Sequence, residues 1–496
     1  MDTRFWEDRI NPVLMKELRQ AFHNRLMLTL SGILLVLQFA VLVIFNLTKK
    51  EWINSSSGGG STFVIIDGSL MILCILIVCA YGPLQRFTEE RSSAELDFAA
   101  ITLLTPFQII FGKLACALVT ALLVASLCLP FMTVAYFFRN VTLLEIAGVF
   151  VSEAVPVLLM VQLALFCGAL GKKWGQALFL LFLLQLAGPM FIGAPVLFNT
   201  AVLKSSPEQF LFWGLQLGGL LVFLLLFVST TSLITPPFAN RMFLPRLLGM
   251  GCFVLFCCVA FIPGVLSGMT RGVGREFREM FLFCCPVGLT VFLVLLAVCD
   301  REAPGARVLS QTPRNLPGRL CHFLLSSNRT GGVLCTLLAL AVFVTGAVTT
   351  SLWDNHTLFG LAVAAGVCGY FVFYGECAAL LSRLTSKTVA GWVWLLIVCA
   401  FFCVLCPLLA DGTRVRLDEI FVSPLQLTGL RAGDFVSHRA VAAGPASALV
   451  RVFIGPVLAA LPGIWFLIDG IRKFRAWRAP ESVPAEEEKS EGIVKR

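Results

Sequence analysis

Charge is scarce in this chain. Asp, Glu, Lys and Arg make up 14% of its 496 residues, and histidine occurs four times. A soluble domain carries about 25% charged residues, so the composition excludes an ordinary water-soluble enzyme or nucleic-acid-binding domain. Four histidines leave little for a metal site, and none is expected. The 18 cysteines do not change this. Cys257-Cys258 and Cys284-Cys285 are adjacent pairs, which is not zinc spacing. Most other cysteines lie in apolar runs, as Cys252, Cys403 and Cys406 do, where a thiol behaves as a small hydrophobe. With no cysteine in the segments read as external, no disulfide framework is expected. No G-x-x-x-x-G-K-[ST] occurs, so the chain does not cradle nucleotide phosphates in that way. No A-x-A-like cleavage site follows the first apolar run, which reads as a retained signal anchor.

What is abundant is oil. Hydrophobic residues make up 58% of the chain, and mean hydropathy is +0.88. A helix needs about 20 apolar residues to cross a bilayer. Candidate spans fall at 26–46, 63–85, 111–138, 146–170, 175–199, 209–234, 246–268, 279–299, 331–352, 357–382, 389–410 and 446–470. The first turns of the long 141–170 run read as surface-lying. The reading is an all-α polytopic membrane protein with about twelve transmembrane helices and both termini cytoplasmic. The net charge of +9 is then topological rather than a sign of nucleic acid. Arg4, Arg9, Lys16, Arg19, Arg25, Lys172, Lys173, Arg241, Arg246 and the 301–329 cluster fall on the cytoplasmic side, as the positive-inside rule requires. Arg271, Arg275 and Arg278 fall outside and resist it.

The chain divides by pattern into an interfacial segment at 1–25, a six-span half at 26–240, a second half at 241–470 and a tail at 471–496 that reads as disordered. The second half contains an inner loop at 300–330 and an outer loop at 411–445.

Two segments carry more than hydropathy. In NPVLMKELRQAFHNR, Val13, Leu14, Leu18, Ala21 and Phe22 recur at helical spacing, with Lys16, Arg19, Gln20 and His23 largely opposite. This is an interfacial helix with its basic face toward headgroups, capped by Asn11 ahead of Pro12. The second is Gln85 to Lys113. Glu89, Glu90, Arg91 and Glu95 supply charge, and Leu96, Ala99, Ala100, Leu103 and Leu104 an apolar stripe. Thr105-Pro106-Phe107-Gln108 reads as a capping box. Gly112 and Lys113 follow, with the lysine expected to snorkel to headgroups.

Together these segments resemble the permease subunits of type-2 ABC transporters, clearest over residues 10–240. That family has an elbow helix with an N-P-x-x-x-K/R-E-L/F-R pattern, matched by Asn11, Pro12, Lys16, Glu17, Leu18 and Arg19. After its second span it has E-R/E-x-x-G-T-L-E-x-L-L-x-T-P-L-S-x-x-x-I-x-x-G-K. Glu89, Glu90, Arg91, Leu96, Leu103, Leu104, Thr105, Pro106, Ile109, Gly112 and Lys113 match it. Ala94-Glu95 and Phe107-Gln108 depart from it. The resemblance implies a coupling segment at 86–112 that docks on a separate ATPase, which binds the ATP and Mg; this chain would bind no cofactor itself. Glu89, Glu90, Arg91 and Glu95 would rim the contact and Leu96 and Phe98 centre it. A second permease chain or a homodimer, export, and a bacterial inner membrane are implied likewise.

Asp67, Glu153 and Glu376 lie within spans. Intramembrane carboxylates are costly and often functional, so these three mark a possible substrate pathway. Asp67 also suits a wetted interface. Glu153 and Glu376 suit cation binding, proton relay or pairing with Ser or Thr on a neighbouring helix. The runner-up function is an ion-coupled twelve-span transporter. The G-x-x-x-D-R-x-G-R-like loop of the major-facilitator type is absent, since that place reads GPLQRFTEER. A membrane-embedded enzyme comes third, because Asp411, Asp418, Glu419, Asp434 and His438 sit at no recognised catalytic spacing.

Overall fold

The computed structural model describes residues 11–23, 25–47, 59–92, 104–134, 136, 142–170, 176, 179–180, 198, 209–235, 239–261, 275–300, 306–351, 358–384, 391–400 and 445–477. Among these there is no strand. In chain order the helices are α1 (Pro12–His23), α2 (Arg25–Leu47), α3 (Gly59–Ile75), α4 (Gly82–Ser92), α5 (Pro106–Val134), α6 (Leu143–Leu170) and α7 (Gln209–Ile234). They continue with α8 (Phe243–Phe261), α9 (Arg275–Val298), α10 (Ala306–Ser310), α11 (Leu316–Leu325), α12 (Arg329–Ser351), α13 (Leu358–Leu384), α14 (Gly391–Ala400) and α15 (Pro445–Ala476). One π-helical stretch, Leu76–Tyr81, joins α3 to α4.

Eight segments of the described residues are long and apolar enough to cross a membrane. The protein is therefore an all-helical, multi-pass membrane protein. The 175–199 span lies almost wholly outside the described residues, as does the outer loop at 411–445.

The helices form two units, α1–α7 and α8–α15. In the first, α6 packs on α7, α4 and α5, and α1 lies against α5. In the second, α13 is the hub and contacts α9, α12, α14 and α15. Its core gathers Phe253, Phe343, Cys368 and Tyr374, all nearly inaccessible.

Several boundaries differ from the sequence reading. Residues 143–170 form one helix, not a surface turn followed by a span. The expected 300–330 loop contains α10 and α11. The tail does not begin at 471: α15 runs to Ala476, and Trp477 is buried. Aromatic packing is the cause. Trp477 meets Phe323 edge-on at 5.1 Å, and its indole N–H donates to His322 Nδ1 at 3.3 Å. Burial pushes the His322 pKa below its usual value, which keeps the ring neutral and able to accept.

Candidate functional site: a buried charge node under the elbow helix

The site is built at the start of α5. Thr105 Oγ1 accepts from the Gln108 N–H at 3.3 Å, and Gln108 Oε1 accepts from the Thr105 N–H at 3.0 Å. This reciprocal pair satisfies two donors at the helix start and fixes where α5 begins. Asn11 does the same for α1: its Oδ1 accepts from the Val13 N–H at 3.0 Å. Its Nδ2 then donates to the Gln108 carbonyl at 2.6 Å, pinning one helix start to the other.

One turn further on, the two helices touch. A Cβ on Gly112 would stand 2.9 Å from Val13 Cβ and 3.1 Å from the Leu14 nitrogen. Glycine is therefore required by close approach rather than by conformation. Gly112→Val will lift α1 from α5 at a cost of about 1–3 kcal/mol. The check is the midpoint of thermal unfolding in detergent, together with faster proteolysis at Arg19 and Arg25.

Beside Gly112, Lys113 points into the protein. Only 5% of its side chain is exposed. Its ammonium pairs with Glu17 Oε1 and with Glu90 Oε2 at 2.7 Å, and lies 5.4 Å from the centre of the Phe87 ring. Arg86 approaches Glu17 at 3.8 Å and Lys16 approaches Glu90 at 3.5 Å. Three cations thus surround two carboxylates, and the charges come from α1, α4 and α5. Burying one of these charges alone costs several kcal/mol; each has a partner. The node clamps the interfacial helix, the end of the second span and the beginning of the third into one piece.

This corrects the snorkelling role expected of Lys113. The sequence does hold a signal for the node. Glu17 falls on the same stripe as Val13, Leu14 and Ala21, three to four residues from each, so a helix that buries that stripe buries the carboxylate. Nothing in the spacing of Arg86 and Phe87 marks them in the sequence.

The other expected residues scatter. Arg19 is exposed, as are Glu89 and Thr105; Pro106 is half-buried. The helix of Arg91 is described but its side chain is not, and the same holds for Asp67. Glu95, Leu96 and Phe98 lie outside the described residues. Glu153 and Glu376 are 2% and 1% exposed, and none of their four oxygens has a hydrogen-bond partner among the described residues. The Ser or Thr pairing considered for them is not formed there.

A second buried node lies in the other unit. Arg246 Nη2 reaches Asp300 Oδ2 at 2.8 Å, and Nη1 donates to the carbonyls of Ser326 and, at 3.1 Å, Asn328. Arg329 Nε donates to the Asp300 carbonyl at 3.1 Å. The positive-inside rule places Arg246 on the cytoplasmic side without saying whether it is exposed; its side chain is buried in protein, where it adds a second donor to the carbonyls that turn α11 into α12.

No protein-family model, curated protein sequence or solved structure matches the chain.

Proposed function

We propose that the chain is the permease subunit of an ABC exporter, with about twelve spans and both termini in the cytoplasm of a bacterial cell. ATP is hydrolysed on a separate ATPase chain. The observation that carries this reading is the Lys113–Glu17–Glu90 node. A transporter driven by a partner has to convert a push on a short cytosolic segment into movement of spans. Here the segment that the ATPase would press, 86–105, leads from α4 into α5, and the node joins both to the elbow helix. A displacement of that segment therefore moves three elements together instead of bending a loop. Such a rigid body, switching between two packings of the spans, is what alternating access needs. A second permease chain, or a second copy of this one, completes the pathway.

The test is whether a P-loop ATPase co-purifies with the chain from the cells that make it. Glu95→Lys and Leu96→Asp alter the pressed segment and none of the residues that form the node, and thermal unfolding in detergent checks that each variant is folded. At least about a tenfold loss of bound ATPase is expected, equal to about 1.4 kcal/mol. Undiminished binding in both variants overturns the coupling assignment. The ion-coupled reading draws on Glu153 and Glu376, which have no hydrogen-bond partner among the described residues, and predicts transport by the chain alone.

A further inference from the structure

Glu376 occupies a position that neither packing nor pairing explains. It lies on α13, the hub of the second unit, and is 1% exposed. Neither carboxyl oxygen meets a donor among the described residues. It sits eight residues before the end of α13 at Leu384, about 12 Å along the axis. Gly463 of α15 stands against it: a Cβ there would be 3.2 Å from Glu376 Oε1, so the carboxyl is turned into the α13–α15 seam. The same seam has Leu337 of α12 on its third side.

The seam leads to a charged mouth. Seven residues beyond Glu376, and so on the same face of α13, Arg383 Nη2 reaches Asp469 Oδ2 at 3.2 Å. Lys473 reaches the same oxygen at 3.1 Å. Thr330 Oγ1 accepts from Lys473 at 2.8 Å and from Arg383 at 3.1 Å, and donates to Asp469 at 3.2 Å. Asp469 is about a quarter exposed. It follows Gly463 by six residues of α15, about 9 Å, and Gly470 beside it packs on Leu334 and Thr330. Among the described residues the charged groups of the elements around Glu376 lie mainly at this mouth: Arg383 on α13, Arg329 on α12, and Asp469, Arg472, Lys473 and Arg475 on α15, whose remaining charge, Arg451, stands twelve residues before Gly463. The α9 charges between Arg275 and Glu279 lie at its far end, α14 has none, and the titratable neighbours on α13 itself are Cys377, Tyr370 and Tyr374.

We propose that Glu376 is a reversible proton-binding site of the membrane interior, loaded through the α12–α13–α15 seam from the mouth at Asp469. An isolated carboxylate in such a setting costs far more than a neutral carboxyl, and among the described residues no cation pairs with it to offset the charge. On loading, a proton from water at the mouth forms an O–H bond with a Glu376 oxygen, and the solvent buffer keeps the base. Release reverses the step when the seam opens. A conformational change that wets the seam then carries a proton with it, which makes the chain's cycle sensitive to pH whether or not an ATPase drives it.

The experiment uses the full chain in phosphatidylethanolamine–phosphatidylglycerol vesicles, with dicyclohexylcarbodiimide as the probe, since it modifies protonated buried carboxyls. Labelling is located by peptide mass spectrometry. At neutral pH Glu376 takes at least about ten times the label of Glu89, an exposed carboxyl on α4. The label declines as pH is raised. Asp469→Asn lowers the rate of labelling severalfold and leaves its final extent unchanged. An unlabelled Glu376 at neutral pH, or a label indifferent to pH, overturns the site. An unchanged rate in Asp469→Asn overturns the route. The central readout is on the unaltered chain, so a variant that fails to fold does not rescue the proposal; Asp469→Ser then repeats the rate measurement. ATPase binding does not enter any of these readings.

Discussion

Lys113→Met will lower the stability of the first unit by about 3 kcal/mol and free the elbow helix from the start of α5. The loss follows from what is left behind. Glu17 would keep Arg86 at 3.8 Å, but an ion pair at that distance does not replace the direct contact with the lysine. Glu90 would keep Lys16, whose side chain is half exposed and screened. The measurement is thermal unfolding in detergent, read beside proteolysis at Arg19. A second substitution separates charge from packing. Glu17→Leu in the Lys113→Met background should recover most of the loss, because a buried ion pair replaced by apolar side chains is near neutral. If Lys113→Met melts as the parent does, the carboxylate is wetted and the node is no clamp.

Arg246→Met should cost more, about 3–5 kcal/mol. Asp300 is wholly buried, and Arg241, at 3.7 Å, is a second, longer cationic contact. The carbonyls of Ser326 and Asn328 also lose their guanidinium donor, although each keeps a backbone one, the N–H of Asn328 and of Gly332, so the stranded carboxylate is the larger loss. Methionine fills most of the stem volume, so a cavity is not the cause. Thermal unfolding of Arg246→Met and of Arg246→Met/Asp300→Leu gives the contrast: the double variant should recover a good part of the loss. Equal destabilisation in both would assign the effect to the carbonyls alone.

The two nodes differ in how far the sequence reveals them. The first is half legible. Asn11, Pro12, Thr105, Pro106 and Gln108 can be read as caps because capping chemistry is local, and the hydrogen bonds form as the spacing suggests. The node itself joins Glu17, Glu90 and Lys113, which are far apart in the chain. Glu17 is marked by its place on the apolar stripe, but Glu90 and Lys113 each alone look like a wetted interfacial charge. The second node was not legible at all. Arg246 lies near the start of an apolar run, Asp300 at the end of another, and both fit the expected pattern of charge flanking a span. Only packing decides that such a charge turns inward.

The sequence by itself determined that this chain is a bundle of apolar helices for a membrane, and where several of them start. Hydropathy and capping act over one or two turns, so the information sits in neighbouring residues. Tertiary structure decided which charges are buried and paired, that α15 continues to Ala476 beneath Trp477, and that Glu376 stands in a seam with no hydrogen-bond partner among the described residues. These are set by groups that meet across helices. Inside a low-dielectric bundle, whether a partner lies within about 4 Å decides whether a charge stabilises the fold or has to be neutralised.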